Sequence, residues 1–114
     1  MQKRKIKELN DYKIFSKIKI EIIPCEDISG PFINILEGYE QYFHIYFDNN
    51  EEEITKTYLD KKENIKNIII IIDYEVKSLN GLFFDCRLIK SINFRRFNRG
   101  NINDMSGMFS YCSS

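Results

Sequence analysis

Val76-Lys77-Ser78-Leu79-Asn80-Gly81-Leu82-Phe83-Phe84-Asp85-Cys86 returns further along the chain as Ile102-Asn103-Asp104-Met105-Ser106-Gly107-Met108-Phe109-Ser110-Tyr111-Cys112, at a constant offset of 26 residues. Gly81/Gly107, Phe83/Phe109 and Cys86/Cys112 are identical pairs, and Val76/Ile102, Leu79/Met105 and Leu82/Met108 are like for like. A period of this length predicts units that stack on one another, because one such unit cannot bury its apolar face alone. Within each copy, Leu79, Leu82, Phe83 and Cys86, and likewise Met105, Met108, Phe109 and Cys112, fall at i, i+3, i+4 and i+7. That spacing predicts a short helix with four inward apolar groups, with Ser78 and Asp104 as N-caps. Gly81 and Gly107 would then let helix and strand approach closely.

Between the copies, Ile89, Ile92, Phe94 and Phe97 supply a strand and its packing anchors, with Ser91 and Asn93 on the alternate face. One period back, Phe94 falls on Ile68 and Phe97 on Ile71, so Ile68-Ile69-Ile70-Ile71-Ile72 reads as the preceding strand. Its unbroken apolar character suggests cover on both faces and a parallel neighbour. The expectation is an α+β chain. A basic, flexible stretch (1–12) and a β-rich cap (13–64) lead into the start of a leucine-rich-repeat-like solenoid (65–114), divided at 65–90 and an incomplete 91–114.

The run from Cys86 through Ile89, Ile92, Phe94, Phe97, Ile102, Asp104, Met105, Ser106, Met108, Phe109 and Cys112 to Ser113-Ser114 resembles the BspA-type leucine-rich repeat family of bacterial surface proteins and protists. The likeness covers roughly the last third of the chain. Arg95-Arg96 stands where the pattern has a small polar residue, and Leu79 and Leu82 replace the methionines in the upstream copy. The resemblance implies a recognition protein without catalytic residues. Its pattern continues beyond Ser114 into a next strand, which predicts an uncapped apolar end at Met105, Met108 and Phe109, open to further repeats or to another chain.

Upstream, Ile18, Ile20 and Ile22 alternate with Lys19 and Glu21 as a half-buried strand ending at Pro24. Pro31 before Phe32, Ile33, Leu36 and Tyr39 is compatible with a helical face. Tyr42–Phe47 reads as a strand, Asp48-Asn49-Asn50 as a turn, and Ile54–Tyr58 as the return.

The formal net charge is zero, which gives no global drive toward nucleic acid or membrane. No apolar run approaches the roughly 20 residues that span a bilayer, and Met1 to Leu9 has no secretory apolar core. The chain therefore reads as cytoplasmic, with the cell surface as the location the family resemblance allows. The charges are nonetheless segregated: eleven acids against three lysines from Glu21 to Glu63, then six basic residues against Asp85 and Asp104 from Val76 onward. Ser91, Asn93, Arg95, Arg96 and Arg99 are the candidate partner-binding residues, facing either solvent or an acidic partner.

Cys25, Cys86 and Cys112 form no C-x-x-C pair and His44 is the lone histidine, so neither a zinc site nor a catalytic pair is expected. Asp48-Asn49-Asn50-Glu51 lacks the ligand ladder of a calcium loop, and no phosphate-binding glycine loop is present. The expectation is a non-catalytic protein-interaction module with no cofactor or metal and an unknown protein partner. The alternative is an assembly element joined through its C-terminal repeat.

Overall fold

The computed structural model describes residues 18–73, 76–97 and 106–109, with the side chain of Phe97 left aside. Six strands are present among them: β1 (Ile18–Pro24), β2 (Gly30–Pro31), β3 (Phe43–Phe47), β4 (Tyr58–Leu59), β5 (Ile68–Ile72) and β6 (Ile89–Phe97). A single 3-10 turn at Glu40–Tyr42 precedes β3. Four strands make one sheet in the order β3-β5-β1-β6, and β2 pairs with β4 in a second. Every pairing is antiparallel.

This overturns the expected α+β solenoid. β5 and β6 do run in the same direction, but β1 lies between them and bonds antiparallel to both, so they are not neighbours. The residues expected to cap a solenoid thus share a sheet with those expected to form it. The continuous isoleucine run of β5 reflects two antiparallel neighbours and two apolar faces rather than a parallel partner. Nor does the repeat period govern the sheet. Ile20 faces Ile70 on one side and Phe94 on the other, a step of 24, while beyond a bulge Ile18 faces Ile72 and Phe97, a step of 25.

The expected helices at Leu79 and Met105 are also absent from the described residues. Gly81 and Asp85 stand at φ +63° and +56°, and Gly107 at +62°. This left-handed conformation cannot continue a right-handed helix. Residues 80–85 instead run as consecutive turns, with i to i+3 bonds from Leu82 to Leu79, Phe84 to Gly81 and Cys86 to Phe83. The 3.6-like spacing of apolar residues survives because a chain of tight turns also brings every third or fourth side chain to one side. Ser78 caps no helix; its hydroxyl accepts from the Asn80 amide at 3.2 Å. Residues 32–36 are likewise not helical.

Alternation sorts the sheet into two faces. Three cross-strand rows form the inner one: Phe43, Ile72 and Ile18; Ile45, Ile70, Ile20 and Phe94; Phe47, Ile68, Ile22 and Ile92. Their core is closed by a layer of loops and turns with the short β2–β4 pair, which contributes Phe32, Ile33, Leu59, Leu79, Phe83 and Leu88. Phe32 meets Phe47 edge to face with ring centroids 5.9 Å apart.

Candidate interaction surface

The two copies of the glycine-containing turn lie directly on one another. The Gly81 amide donates to the Ser106 carbonyl at 2.9 Å and the Phe83 amide to the Met108 carbonyl at 2.8 Å. The rings of Phe83 and Phe109 stack at 5.8 Å with an interplanar angle of 12°. Gly81 and Gly107 share the same left-handed conformation, so over the described residues 106–109 the 26-residue offset is a structural repeat.

Asn34 occupies the other side of the first copy. Its amide donates to the Leu82 carbonyl at 2.7 Å, the same role the Phe83 amide plays toward Met108, since Leu82 and Met108 are 26 apart. Its side-chain Nδ2 donates to the carbonyls of Phe84 at 2.7 Å and Gly81 at 3.2 Å, and lies 3.6 Å from Cys86 Sγ. The stack therefore has three layers: Asn34, the first turn and the second turn. Phe83 in the middle is inaccessible, whereas Phe109 in the last layer is 46% exposed. Phe84 and Leu36 are also exposed, and they border an open groove of about 480 Å³ with Ile35, Gly81 and Gly107.

Leu79, Leu82, Phe83, Cys86, Ile89 and Met108 are buried in the core, and Ile92 and Phe94 pack against it half-buried. Phe109 departs from its expected inward place, having Phe83 and the edge of Phe94 (6.2 Å) as ring partners on its covered side. Met105, Cys112 and Arg99 lie outside the described residues, as does the side chain of Phe97. Ser91, Asn93, Arg95 and Arg96 are exposed on β6, the outer strand of the sheet. Arg95 is committed within the fold: its guanidinium donates to Glu21 Oε1, at 3.1 Å from Nε. That bond, helped by Asn67, holds the Glu21 carboxyl below the usual glutamate range against the opposing effect of desolvation. Arg96 stands opposite Lys19, a like-charge pairing.

His44 is buried, with Nδ1 3.2 Å from Glu53 Oε1. Among the described residues no three His, Cys, Asp or Glu side chains are grouped to hold a metal ion, and no helix is long and apolar enough to cross a membrane. Sequence reasoning missed Asn34 altogether; an isolated asparagine in a loop carries no pattern that would point to carbonyls about 50 residues away. No family model, curated protein or solved structure matches the chain.

Proposed function

We propose that this chain is a non-catalytic protein-interaction domain that associates through the last layer of its turn stack. The observation that supports this reading is the asymmetry of the stack: Asn34 closes one side, while Phe109 leaves its ring 46% exposed on the other. Exposed apolar surface beside Phe84 and Leu36 favours burial by a partner. The partner that fits is a second copy of this chain presenting the same aromatic turn, since Phe83 and Phe109 already show two such rings packing in register. The turn is also the segment that resembles BspA-type repeats, which favours recognition over catalysis.

Sedimentation velocity over a wide concentration range tests the reading. The wild-type chain self-associates, and Phe109→Ser, a change at a half-exposed side chain, shifts the association midpoint at least tenfold. A chain that stays monomeric at every concentration, or a variant identical to wild type, removes the basis for the proposal. Exposed Ser91, Asn93 and Lys90 on the outer strand β6 favour a second reading, in which an extended segment adds to that edge. Association lost in Asn93→Pro but kept in Phe109→Ser would select it.

A further inference from the structure

Asn80-Gly81 is the one Asn-Gly step in the sequence, and it lies in the first of the two stacked turns. In such a step the main-chain nitrogen that follows the asparagine can close on the side-chain amide carbon, and glycine puts no side chain in the way. Asn80 is exposed, and a Cβ placed on Gly81 would meet only Phe84 Cβ, at 3.8 Å. The nitrogen itself is held, because the Gly81 amide donates to the Ser106 carbonyl at 2.9 Å. That bond favours the protonated nitrogen, which is no nucleophile, and fixes the plane of the peptide. Before the step, the Asn80 amide donates to the Ser78 hydroxyl at 3.2 Å. One period on, the same place is Ser106-Gly107, with a like left-handed glycine and no side-chain amide to attack.

We propose that Asn80 is a modification site, deamidated through Gly81 and gated by the stacking of the second turn on the first. When the second turn lifts, the Gly81 N–H loses its acceptor and gives its proton to solvent base. The nitrogen then bonds to Asn80 Cγ, the bond from Cγ to the side-chain nitrogen breaks, and that nitrogen leaves as ammonia, taking up a proton from solvent. Water opens the resulting cyclic imide at either carbonyl, to aspartate or isoaspartate. The sum is asparagine and water giving acid and ammonia, with nothing oxidised or reduced. Either product sets a negative charge in the turn. The isoaspartyl form also adds a carbon to the main chain between positions 80 and 81, which takes the Gly81 amide out of register with Ser106. A passing separation of the turns thus becomes a lasting one. The modification stands apart from self-association, since it needs only that the two turns separate.

Peptide mass spectrometry of the full chain, incubated at mildly alkaline pH, follows the conversion in the tryptic peptide 78–87. The free synthetic peptide of the same residues serves as the ungated reference. Conversion in the folded chain is expected to be about tenfold or more slower than in the peptide, as for any group exposed only by local opening. It rises several-fold in Phe109→Ser, which removes the ring stacked on Phe83. Asn80→Ser, the residue the second turn already carries, leaves the peptide unmodified and the β-sheet circular dichroism unchanged. A wild-type rate equal to that of the free peptide overturns the gate, and so does an unaltered rate in a folded Phe109→Ser chain. If that variant unfolds, wild type in urea below its unfolding transition replaces it: conversion should accelerate before the sheet is lost, and acceleration only with global unfolding overturns the proposal.

Discussion

Replacing Asn34 by aspartate separates the three-layer stack from a generic hydrophobic core. The side-chain amide donates to two carbonyl oxygens, at 2.7 Å to Phe84 and 3.2 Å to Gly81. Alanine removes both bonds. At about 1 kcal/mol net for each neutral hydrogen bond, and with the Phe84 carbonyl open to water, Asn34→Ala costs about 1–2 kcal/mol. Aspartate is nearly isosteric, but when ionised it has no donor and sets a negative charge against two carbonyl dipoles, so the cost rises to about 3 kcal/mol at neutral pH. Protonation restores one donor. The introduced carboxyl therefore has a folded-state pKa raised above its unfolded value of about 3.9. Its penalty is smallest below that value and grows as pH rises through it, levelling off above the folded pKa. Urea unfolding of wild type, Asn34→Ala and Asn34→Asp at pH 3.5 and pH 7 reads this out directly. The aspartate variant should lie below the alanine variant at pH 7 and approach or pass it at pH 3.5, after subtraction of the wild-type trend. Equal stability of the two variants at both pH values would refute the claim that Asn34 holds the turn through its donors.

Phe83→Ala should cost about 3–5 kcal/mol in chemical denaturation, because its ring is fully enclosed and also supports Phe109; a loss under 1 kcal/mol would remove it from the core. Gly81→Ala should cost about 1–2 kcal/mol, and the cost is one of backbone alone, since an added Cβ meets only Phe84 Cβ at 3.8 Å while φ is +63°. Gly30→Ala, whose Cβ would meet Leu88 at 3.7 Å without a positive φ, is the matched control and should cost distinctly less. The Glu21 carboxyl is held low chiefly by its bond from Arg95, so its contribution is present above the ordinary glutamate value of 4.5 and is lost as pH falls through the lower folded value. Glu21→Gln should flatten that acid limb by about 0.5–1 kcal/mol, a discounted figure because Arg95 is half exposed; an unaltered pH profile would show the pair to be idle.

How far the fold could be read from the sequence depends on the range over which each signal acts. Period-two alternation in Ile18, Ile20 and Ile22 is local, and β1 is found there with Pro24 as its last residue. Phe43–Phe47 and Ile68–Ile72 are strands on another local signal, a short run of aromatic or β-branched residues, and Ile89–Phe97 on its spaced apolar residues. Pairing is not local. Nothing in Ile68–Ile72 or in Ile92 and Phe94 says that Ile20 will sit between them, because an apolar face accepts any complementary apolar face. The glycine turns escape the sequence through a different gap: apolar spacing of three and four cannot tell a helix from consecutive turns. The signal that could have decided it was Gly81 itself, a poor residue for the middle of a helix and a good one for positive φ.

The same distinction explains why the repeat is real in one place and absent in another. Stacking of the described turn residues depends on the left-handed glycine and the phenylalanine two residues after it, both set within the motif, so 26 residues in sequence become one layer in space. The strands have no such internal constraint; their spacing is dictated by β1, and a bulge between Lys19 and Ile20 is enough to change the step from 24 to 25. An interaction surface built on the turn layer can therefore accept another like turn without any change to the sheet beneath it. That independence makes the Phe109→Ser and Asn34→Asp experiments complementary: the first alters what the last layer can bind, the second how the first layer is held.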